Sequence, residues 1–232
     1  MIPNQPAGEA MQLLKIEQDA NNYSTYTYNG DGLLSSFINV HNQVTSHEST
    51  TYGADKKPLA VTLDDETYKL SFNGDKITQI DVYEQQNHTA YFTYTYTGDK
   101  ITEADYYVFS DLNTKFLAAK TLSVYNSAGD LSSQKLYYTV GTSLQLASTT
   151  AYEYDAKNNP LAGSFNLSSV LLNSPAAHNV TKQTQYDAGG NVSETDTYTI
   201  SYNTQNYPVQ IACKTVKPGA AEVSTGNKFT YK

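Results

Sequence analysis

The chain of 232 residues contains no arginine and no tryptophan, and its single cysteine is Cys213. One cysteine cannot form an internal disulfide, so the fold must be stabilised by its own core. Arginine is the side chain best suited to bind phosphate and guanine with two hydrogen bonds, and all 15 basic residues here are lysines. The formal net charge of −8 also argues against binding to nucleic acids or anionic lipid headgroups. We therefore expect no nucleic-acid partner.

Long apolar runs are also missing, and no stretch approaches the roughly 20 apolar residues of a membrane-spanning helix. Residues 1–10 are polar and contain proline and glycine, which favours a flexible N-terminal tether. Residues 11–232 then form a single β domain in our interpretation, since sandwiches and barrels often have about 200–250 residues. We expect any contact with a membrane to be made through a lipid anchor that is absent from this chain.

Tyrosine is present in surplus, with 21 residues. Tyr and Thr alternate in segments such as 92–96 (Phe-Thr-Tyr-Thr-Tyr), which places rings on one face of a strand and threonines on the other. Both residue types favour β-strands. The pattern therefore predicts sheets with one aromatic face and one hydrated face.

A hairpin unit recurs along the chain. Residues 72–83 and 96–107 are identical at seven of twelve positions, and both contain the sequence Gly-Asp-Lys-Ile-Thr. Each unit has an anchoring aromatic residue, a turn with Gly or Asn, an aliphatic residue that re-enters beside the ring, and a second strand. The anchoring residues are Tyr28, Tyr52, Phe72, Tyr96, Tyr125, Tyr154, Tyr186, Tyr202 and Tyr231.

These units predict an all-β fold in which strands adjacent in sequence pair in space. We expect an antiparallel meander of roughly 15–17 strands, arranged as a strongly curved or barrel-like single sheet. Residues 160–180 interrupt the alternation, and we expect a loop there, with room for a short helix, as a feature specific to this fold.

The motif Tyr-x-Tyr-Asn/Asp-x-x-Gly-x-Leu resembles the tyrosine–aspartate (YD, Rhs-type) repeat of secreted bacterial proteins, most clearly at 26–33 and 152–161. The length, the lack of arginine and the Gly-Asp-Lys-Ile-Thr turns are more similar to domains of unknown function with a porin-like β fold. Those domains occur in exported, often lipid-anchored proteins of Gram-negative gut bacteria. The resemblance spans most of 23–231 and implies a place in the periplasm or on the outer-membrane surface. Unlike YD repeats, this chain lacks an arginine after the turn glycine.

Motifs of known chemistry are missing, including HExxH, Gly-x-Ser-x-Gly and a phosphate-binding glycine loop. His41 and His47, with Glu48 adjacent, would share a face of one continuous strand, but no HExxH motif or Cys/His cluster supports a metal site there. We interpret all four histidines as solvated loop residues, the turn aspartates as turn-stabilising side chains, and the acidic run at 64–66 as a solvated turn. The sequence predicts no enzyme, metal or cofactor.

The tyrosines are the candidates for ligand binding, because doubled or alternating tyrosines cannot all face the interior. We hypothesise a non-enzymatic, exported envelope protein that serves as a scaffold or binding module, with a glycan or an envelope protein as its partner. The alternatives are a glycan-binding or glycan-processing surface protein and an integral outer-membrane barrel, which needs an outward apolar band about 25 Å tall. The candidate binding residues are Tyr91, Tyr94, Tyr106, Tyr107, Tyr137 and Tyr138.

Overall fold

The protein is a closed, sixteen-stranded antiparallel barrel, in a computed structural model that describes residues 11–110, 114–165, 167, 171 and 176–232. Each strand pairs with its neighbours in sequence, and the last strand pairs with the first. The predicted all-β meander of roughly 15–17 strands in a barrel-like sheet is therefore confirmed. The strands are β1 (Leu13–Asp19), β2 (Asn22–Tyr28), β3 (Leu34–His41), β4 (Val44–Tyr52), β5 (Pro58–Leu63), β6 (Glu66–Asn73), β7 (Lys76–Glu84), β8 (Asn87–Thr97), β9 (Lys100–Phe109), β10 (Lys115–Tyr125), β11 (Leu131–Val140), β12 (Ser143–Tyr154), β13 (Val180–Asp187), β14 (Val192–Tyr202), β15 (Pro208–Val216) and β16 (Val223–Tyr231).

Successive connections alternate between the two ends of the barrel because neighbouring strands are antiparallel. We call the end where the even-numbered strands terminate the anchor end, and the opposite end the distal end. Eight of the nine anchoring aromatic residues terminate or nearly terminate even-numbered strands and so lie at the anchor end. Tyr186 is the exception, because it lies near the end of β13, and the turn that follows it connects β13 to β14 at the distal end.

Turn chemistry differs between the two ends. At the anchor end, Gly74 (φ 59°) and Gly98 (φ 58°) each begin a two-residue hairpin loop, a position where a positive φ favours glycine. At the distal end, Gln85 (φ 47°) and Gln86 (φ 75°) both adopt the left-handed conformation in the β7–β8 turn. Residues with a Cβ are strained in this conformation, so the β7–β8 turn is held by the strands it connects.

Hydroxyl groups of five anchoring tyrosines each link a hairpin to the preceding one, an arrangement that we call the tyrosine ladder. The Tyr96 hydroxyl donates to the carbonyl of Ile77 (2.9 Å), which is the residue paired with the preceding anchor, Phe72. The ladder also closes the ring, because Tyr28 bonds Leu13 and Leu13 pairs with Tyr231. The equivalent bonds are Tyr28 to Leu13 (3.0 Å), Tyr52 to Leu34 (2.6 Å), Tyr125 to Ile101 (2.8 Å) and Tyr231 to Pro208 (2.6 Å).

The lysine of the repeated turn reaches forward to the next hairpin. Lys76, for example, donates to the carbonyl of Gly98 (2.6 Å) and lies 5.3 Å from the centre of the Tyr96 ring. This position combines a hydrogen bond to a turn carbonyl with a cation–π contact, which explains why lysine recurs there. The equivalent lysine–glycine contacts are Lys57 to Gly74 (2.7 Å) and Lys100 to Gly129 (2.6 Å).

Apolar side chains line the inner wall of the barrel. The smaller of two clusters lies on β1–β3 and contains Leu13, Tyr26 and Leu34. The larger cluster lies on β5–β8 and also includes Leu167 from the connection between β12 and β13. Its buried members are Val61, Tyr68, Leu70, Ile80, Val82, Ala90 and Leu167.

The described residues of the connection between β12 and β13 reach into the interior of the barrel, and we call the described part of 155–179 the crossing segment. Leu161 packs against the smaller cluster, and Leu167 packs in the larger one. The backbone N–H of Leu167 donates to Glu48 Oε1 (3.3 Å) on β4, which lies eight positions from β12 in the ring of sixteen. The loop expected at 160–180 is therefore present, while most positions of the expected short helix lie outside the described residues.

Two aspartates, the buried Asp130 and the half-buried Asp155, fasten the crossing segment to the anchor end. Asp130 is only 1% exposed, and its carboxylate lies 2.8 Å from His178 Nδ1. The carboxylate of Asp155 accepts hydrogen bonds from the backbone N–H of Asn179 (3.2 Å) and from the Tyr202 hydroxyl. The interpretation of His178 as a solvated loop residue was therefore wrong, because a buried carboxylate from another hairpin holds its ring.

Candidate functional site

Three of the six candidate tyrosines face the interior of the barrel. Tyr94 and Tyr106 pack against the larger inner cluster, because they pair across β8 and β9 with Ala104 and Phe92 on the inner face. Burial raises the pKa of Tyr94 far above its ordinary value. Tyr138 also faces inwards, but it lies near the distal end and is 51% exposed. Tyr94 and Tyr106 therefore belong to the core and do not form part of an outer binding surface.

The other three candidates face outwards, and two of them meet. Tyr91 on β8 and Tyr107 on β9 are directly paired, and their rings stack with centroids 4.8 Å apart at an interplanar angle of 9°. Tyr137 lies two strands further, on β11, where it pairs with Lys120. The structure thus brings together two of the six predicted residues on an outward surface.

Three further rings extend this pair into what we call the outer aromatic patch: Tyr83, His88, Tyr91, Tyr107 and Phe109. Tyr83 and His88 stack with centroids 4.9 Å apart, and His88 and Phe109 lie 4.7 Å apart in a tilted arrangement. Phe109 also lies 5.8 Å from Tyr91, so the rings form one connected group across β7, β8 and β9. A groove of about 520 Å³ opens over the patch, lined also by Gln79, Thr93 and Lys115.

A β-bulge places His88 on this surface. Val82 pairs with Ala90 on the inner face, but Tyr83 pairs with His88, so β8 contains one extra residue between the two pairs. Strict alternation along β8 would place His88 on the same face as Ala90, inside the barrel. The expectation that His88 belongs to a solvated turn was wrong, since His88 lies within β8 and stacks on Tyr83.

Polar side chains around the patch are themselves bonded. Asp81 Oδ1 lies 3.0 Å from His88 Nε2 and accepts a hydrogen bond from Gln79 Nε2 (2.7 Å). These contacts hold the imidazole in the plane in which it stacks. Beyond the patch, Asp105 lies 2.8 Å from the ammonium group of Lys120. Both carboxylates that neighbour the groove therefore already have partners.

Two lysines lie over the rings of the patch. The ammonium group of Lys115 is 5.6 Å from the ring centre of Tyr91 and 5.9 Å from that of Tyr107. Lys69 places its ammonium group 4.3 Å from the ring centre of Tyr83. A cation over an aromatic face is attracted by the ring quadrupole, so the lysines stabilise the patch and give its surface a positive charge.

The histidine pair considered from the sequence does not form. His41 ends β3 and pairs with Val44 across the β3–β4 turn, and His47 lies three residues beyond Val44. An odd separation along a strand puts side chains on opposite faces, so His41 and His47 point away from each other. Within the described ranges, no group of three or more His, Cys, Asp or Glu side chains is placed to hold a metal ion.

In the part of the chain that the structure describes, no helix is long and apolar enough to cross a membrane.

The densest acidic run is only partly a turn. Asp64 lies in the β5–β6 turn and accepts a hydrogen bond from the backbone N–H of His47 (2.9 Å). Glu66, however, lies in β6, faces inwards and accepts a hydrogen bond from the Tyr68 hydroxyl. It pairs directly with Glu84 on β7, which places two carboxylates side by side at the distal rim of the inner wall.

No family model and no curated protein matches the chain. Among solved structures, a porin-like protein from Bacteroides uniformis ATCC 8492 matches with a TM-score of 0.60 at 15% identity, over 96% of this chain and 98% of that one. A porin-like protein from Bacteroides vulgatus ATCC 8482 matches with a TM-score of 0.59 at 16% identity, over 96% and 99%. The chain has a porin-like fold. At these identities the likeness concerns the fold alone.

A chain of the Photorhabdus luminescens Tc holotoxin pore is also similar, with a TM-score of 0.36 at 14% identity, over 88% of this chain and 11% of that one. So weak a likeness carries no argument. The expected porin-like fold is therefore confirmed, whereas the relation to tyrosine–aspartate repeats rests on the sequence motif.

Proposed function

We propose that this chain is a non-enzymatic binding module of the bacterial cell envelope, and that its outer aromatic patch binds a saccharide. The barrel would then serve as the scaffold that presents the patch. A place in the envelope is supported by the fold shared with porin-like proteins of two Bacteroides species.

The observation that carries the saccharide assignment is a group of outward-facing rings with polar groups at its border. Tyr91 and Tyr107 lie parallel at 4.8 Å, with the edge of the groove formed by Gln79 and Thr93. The C–H face of a sugar ring packs on an aromatic ring through dispersion and burial of apolar area. Hydroxyl groups at the edge of the sugar then find amide, hydroxyl and imidazole partners. An outward ring cluster with a polar border is typical of a binding site.

The patch is rigid before any ligand arrives. Its rings stand on β7, β8 and β9 in the wall of a closed barrel, and Tyr91 is only 8% exposed because its neighbours hold it on both sides. Side chains that are already ordered lose little conformational freedom on binding. This rigidity favours recognition of a ligand by stacking, where ring positions must be fixed.

Binding is better supported than hydrolysis. A glycosidase needs two carboxyl groups about 5–10 Å apart beside its bound sugar. The adjacent pair Glu66 and Glu84 faces the inside of the barrel, while the outer aromatic patch lies on the opposite side of the wall. Asp81, beside the patch, is bonded to His88 and Gln79. The rings and the carboxylate pair therefore do not share a surface.

The distribution of polarity supports a barrel that stays outside the hydrocarbon of a membrane. An integral outer-membrane barrel has an apolar outer band about 25 Å tall and commonly a polar interior. Here the inner wall carries the apolar clusters, and outward positions of β8 and β14 carry threonine. The closed barrel assumed by the membrane alternative is observed, and extraction of the protein from cells without detergent tests its location.

The saccharide proposal is tested by screening oligosaccharides for binding and comparing two variants. Tyr107→Ala removes a ring of the patch, and we expect it to weaken binding about tenfold or more, as for loss of a central aromatic contact. Tyr137→Ala is the matched control, because it removes an outward tyrosine from the same wall two strands away. Equal binding by both variants, or no binding of any saccharide by the parent protein, would contradict the proposal.

A further inference from the structure

We infer that the saccharide bound at the outer aromatic patch is anionic, with its sugar ring on Tyr107 and its carboxylate beside Lys115. This inference rests on the proposed function and adds the chemical class of the ligand: a uronic-acid saccharide. Its basis is the lining of the groove, which includes Lys115 and no Asp or Glu among the described residues, although the chain as a whole carries a net charge of −8.

Lys115 is available to an incoming anion. It lines the groove, and its ammonium group lies 5.6 Å and 5.9 Å from the ring centres of Tyr91 and Tyr107. Within the described ranges it forms no ion pair, in contrast to Lys120, which contacts both Glu103 and Asp105. Among the described residues, the charge of Lys115 is therefore balanced only by aromatic faces, which attract a cation less strongly than a carboxylate does.

The acidic groups around the groove contribute little negative charge to it. Asp105 is compensated by Lys120 (2.8 Å). Asp81 accepts a hydrogen bond from Gln79, which is neutral and leaves the carboxylate charge in place. Asp81 is, however, paired directly opposite Lys69 across β6 and β7, and the Lys69 ammonium group lies over Tyr83 on this side of the patch. A carboxylate that enters the groove thus meets positive charge and no unpaired acidic side chain among the described residues, which satisfies charge complementarity.

The residue types favour a carboxylate over a phosphate. Phosphate sites commonly use the two-pronged guanidinium group of arginine, and this chain contains none. Lys115 offers one ammonium group beside the stacked rings of Tyr91 and Tyr107. One ammonium group is matched by one carboxylate, and the sugar ring that carries the carboxylate can pack on the tyrosine rings. In a uronic-acid saccharide the ring and the carboxylate are joined in this way.

The test is calorimetric titration of the full chain with tetragalacturonate and with its methyl ester, which has the same rings without the charges. We expect the acid to bind at least tenfold more tightly than the ester, and added salt to reduce the difference. Lys115→Gln should lower the affinity for the acid about tenfold more than it lowers the affinity for the ester. Lys135→Gln is the control, because Lys135 is an exposed lysine on the outer wall, on β11 outside the patch, and it should change neither.

The possible failures are distinguishable. If the ester binds as tightly as the acid and Tyr107→Ala weakens both, the inference of an anionic ligand is wrong and the saccharide proposal stands. If polyglutamate of matched charge competes as well as the acid, charge alone explains binding and the inference is overturned. If neither galacturonate probe nor any neutral oligosaccharide binds, the proposed function fails together with the inference. Thermal unfolding of each variant shows that the loss is not caused by misfolding.

Discussion

The tyrosine ladder predicts that the barrel can be stabilised by a single hydroxyl group. Phe72 is the one anchoring residue that is not a tyrosine. Every ladder bond described above ends on the residue paired with the preceding anchor, and the residue paired with Tyr52 is Pro58. In a Phe72→Tyr variant the new hydroxyl should therefore donate to the carbonyl of Pro58, in the same way as Tyr96 donates to Ile77.

The expected size of the effect follows from the geometry of the existing bonds. The hydroxyl–carbonyl distances of the ladder lie between 2.6 and 3.0 Å, within the range of normal hydrogen bonds. A net contribution of about 1 kcal/mol per bond is usual, which corresponds to about 2–4 °C in Tm for a chain of this length. The reverse change, Tyr96→Phe, should lower the free energy of unfolding by a similar amount, because the carbonyl of Ile77 loses its donor.

Urea unfolding monitored by circular dichroism measures both changes. The control is Tyr186→Phe, which removes a hydroxyl from the turn copy at the distal end, outside the ladder, and should alter stability by less than about 0.5 kcal/mol. The denaturant slope should be the same for all variants. If Phe72→Tyr is destabilising, or if Tyr96→Phe behaves like the control, the ladder bonds do not stabilise the fold.

Three further predictions concern ionisation and backbone strain. Burial raises the pKa of Glu48 (5% exposed), so the folded state favours the protonated acid. Glu48→Gln should therefore increase the free energy of unfolding by about 1 kcal/mol at pH 7. Urea titrations should show this gain disappearing below about pH 4, where the carboxyl group is protonated in both the folded and the unfolded state. Burial raises the pKa of Tyr52 and of Tyr96 to about 12, from 10.0. Stability should therefore fall between pH 10 and 12, by at most about 1.4 kcal/mol per pH unit for each ring, and Tyr96→Phe should make the fall less steep. Gln86→Gly relieves a positive φ of 75° and should raise the midpoint of urea unfolding by an amount equivalent to about 0.5–1 kcal/mol.

Alternation and turn chemistry predicted most of the fold because both are local. The alternation at 92–96 correctly puts the rings on one face and the threonines on the other, although Tyr94, proposed from the sequence as a binding residue, packs in the core. Glycine at positions such as 74 and 98 marks the hairpins. Local patterns also indicated that doubled tyrosines divide between the two faces. Tyr106 and Tyr107 do so, with only Tyr107 facing outwards.

The rest of the candidate site depends on a departure from alternation. The bulge in β8, opposite Val82 and Tyr83, turns His88 outwards, and a pairing register between two strands is not visible in either strand alone. The patch also collects rings from three strands, so no single segment shows it. The contact between the crossing segment and Glu48 joins residues 119 positions apart, and only the closed barrel brings them together.

The most direct test of the binding assignment is a crystal structure of the protein soaked with tetragalacturonate. We expect one sugar ring to lie flat on Tyr107, with its carboxylate within hydrogen-bond distance of the Lys115 ammonium group. A sugar found instead inside the barrel, for example beside Tyr138 at the distal end, would show that the outer aromatic patch is not the binding surface.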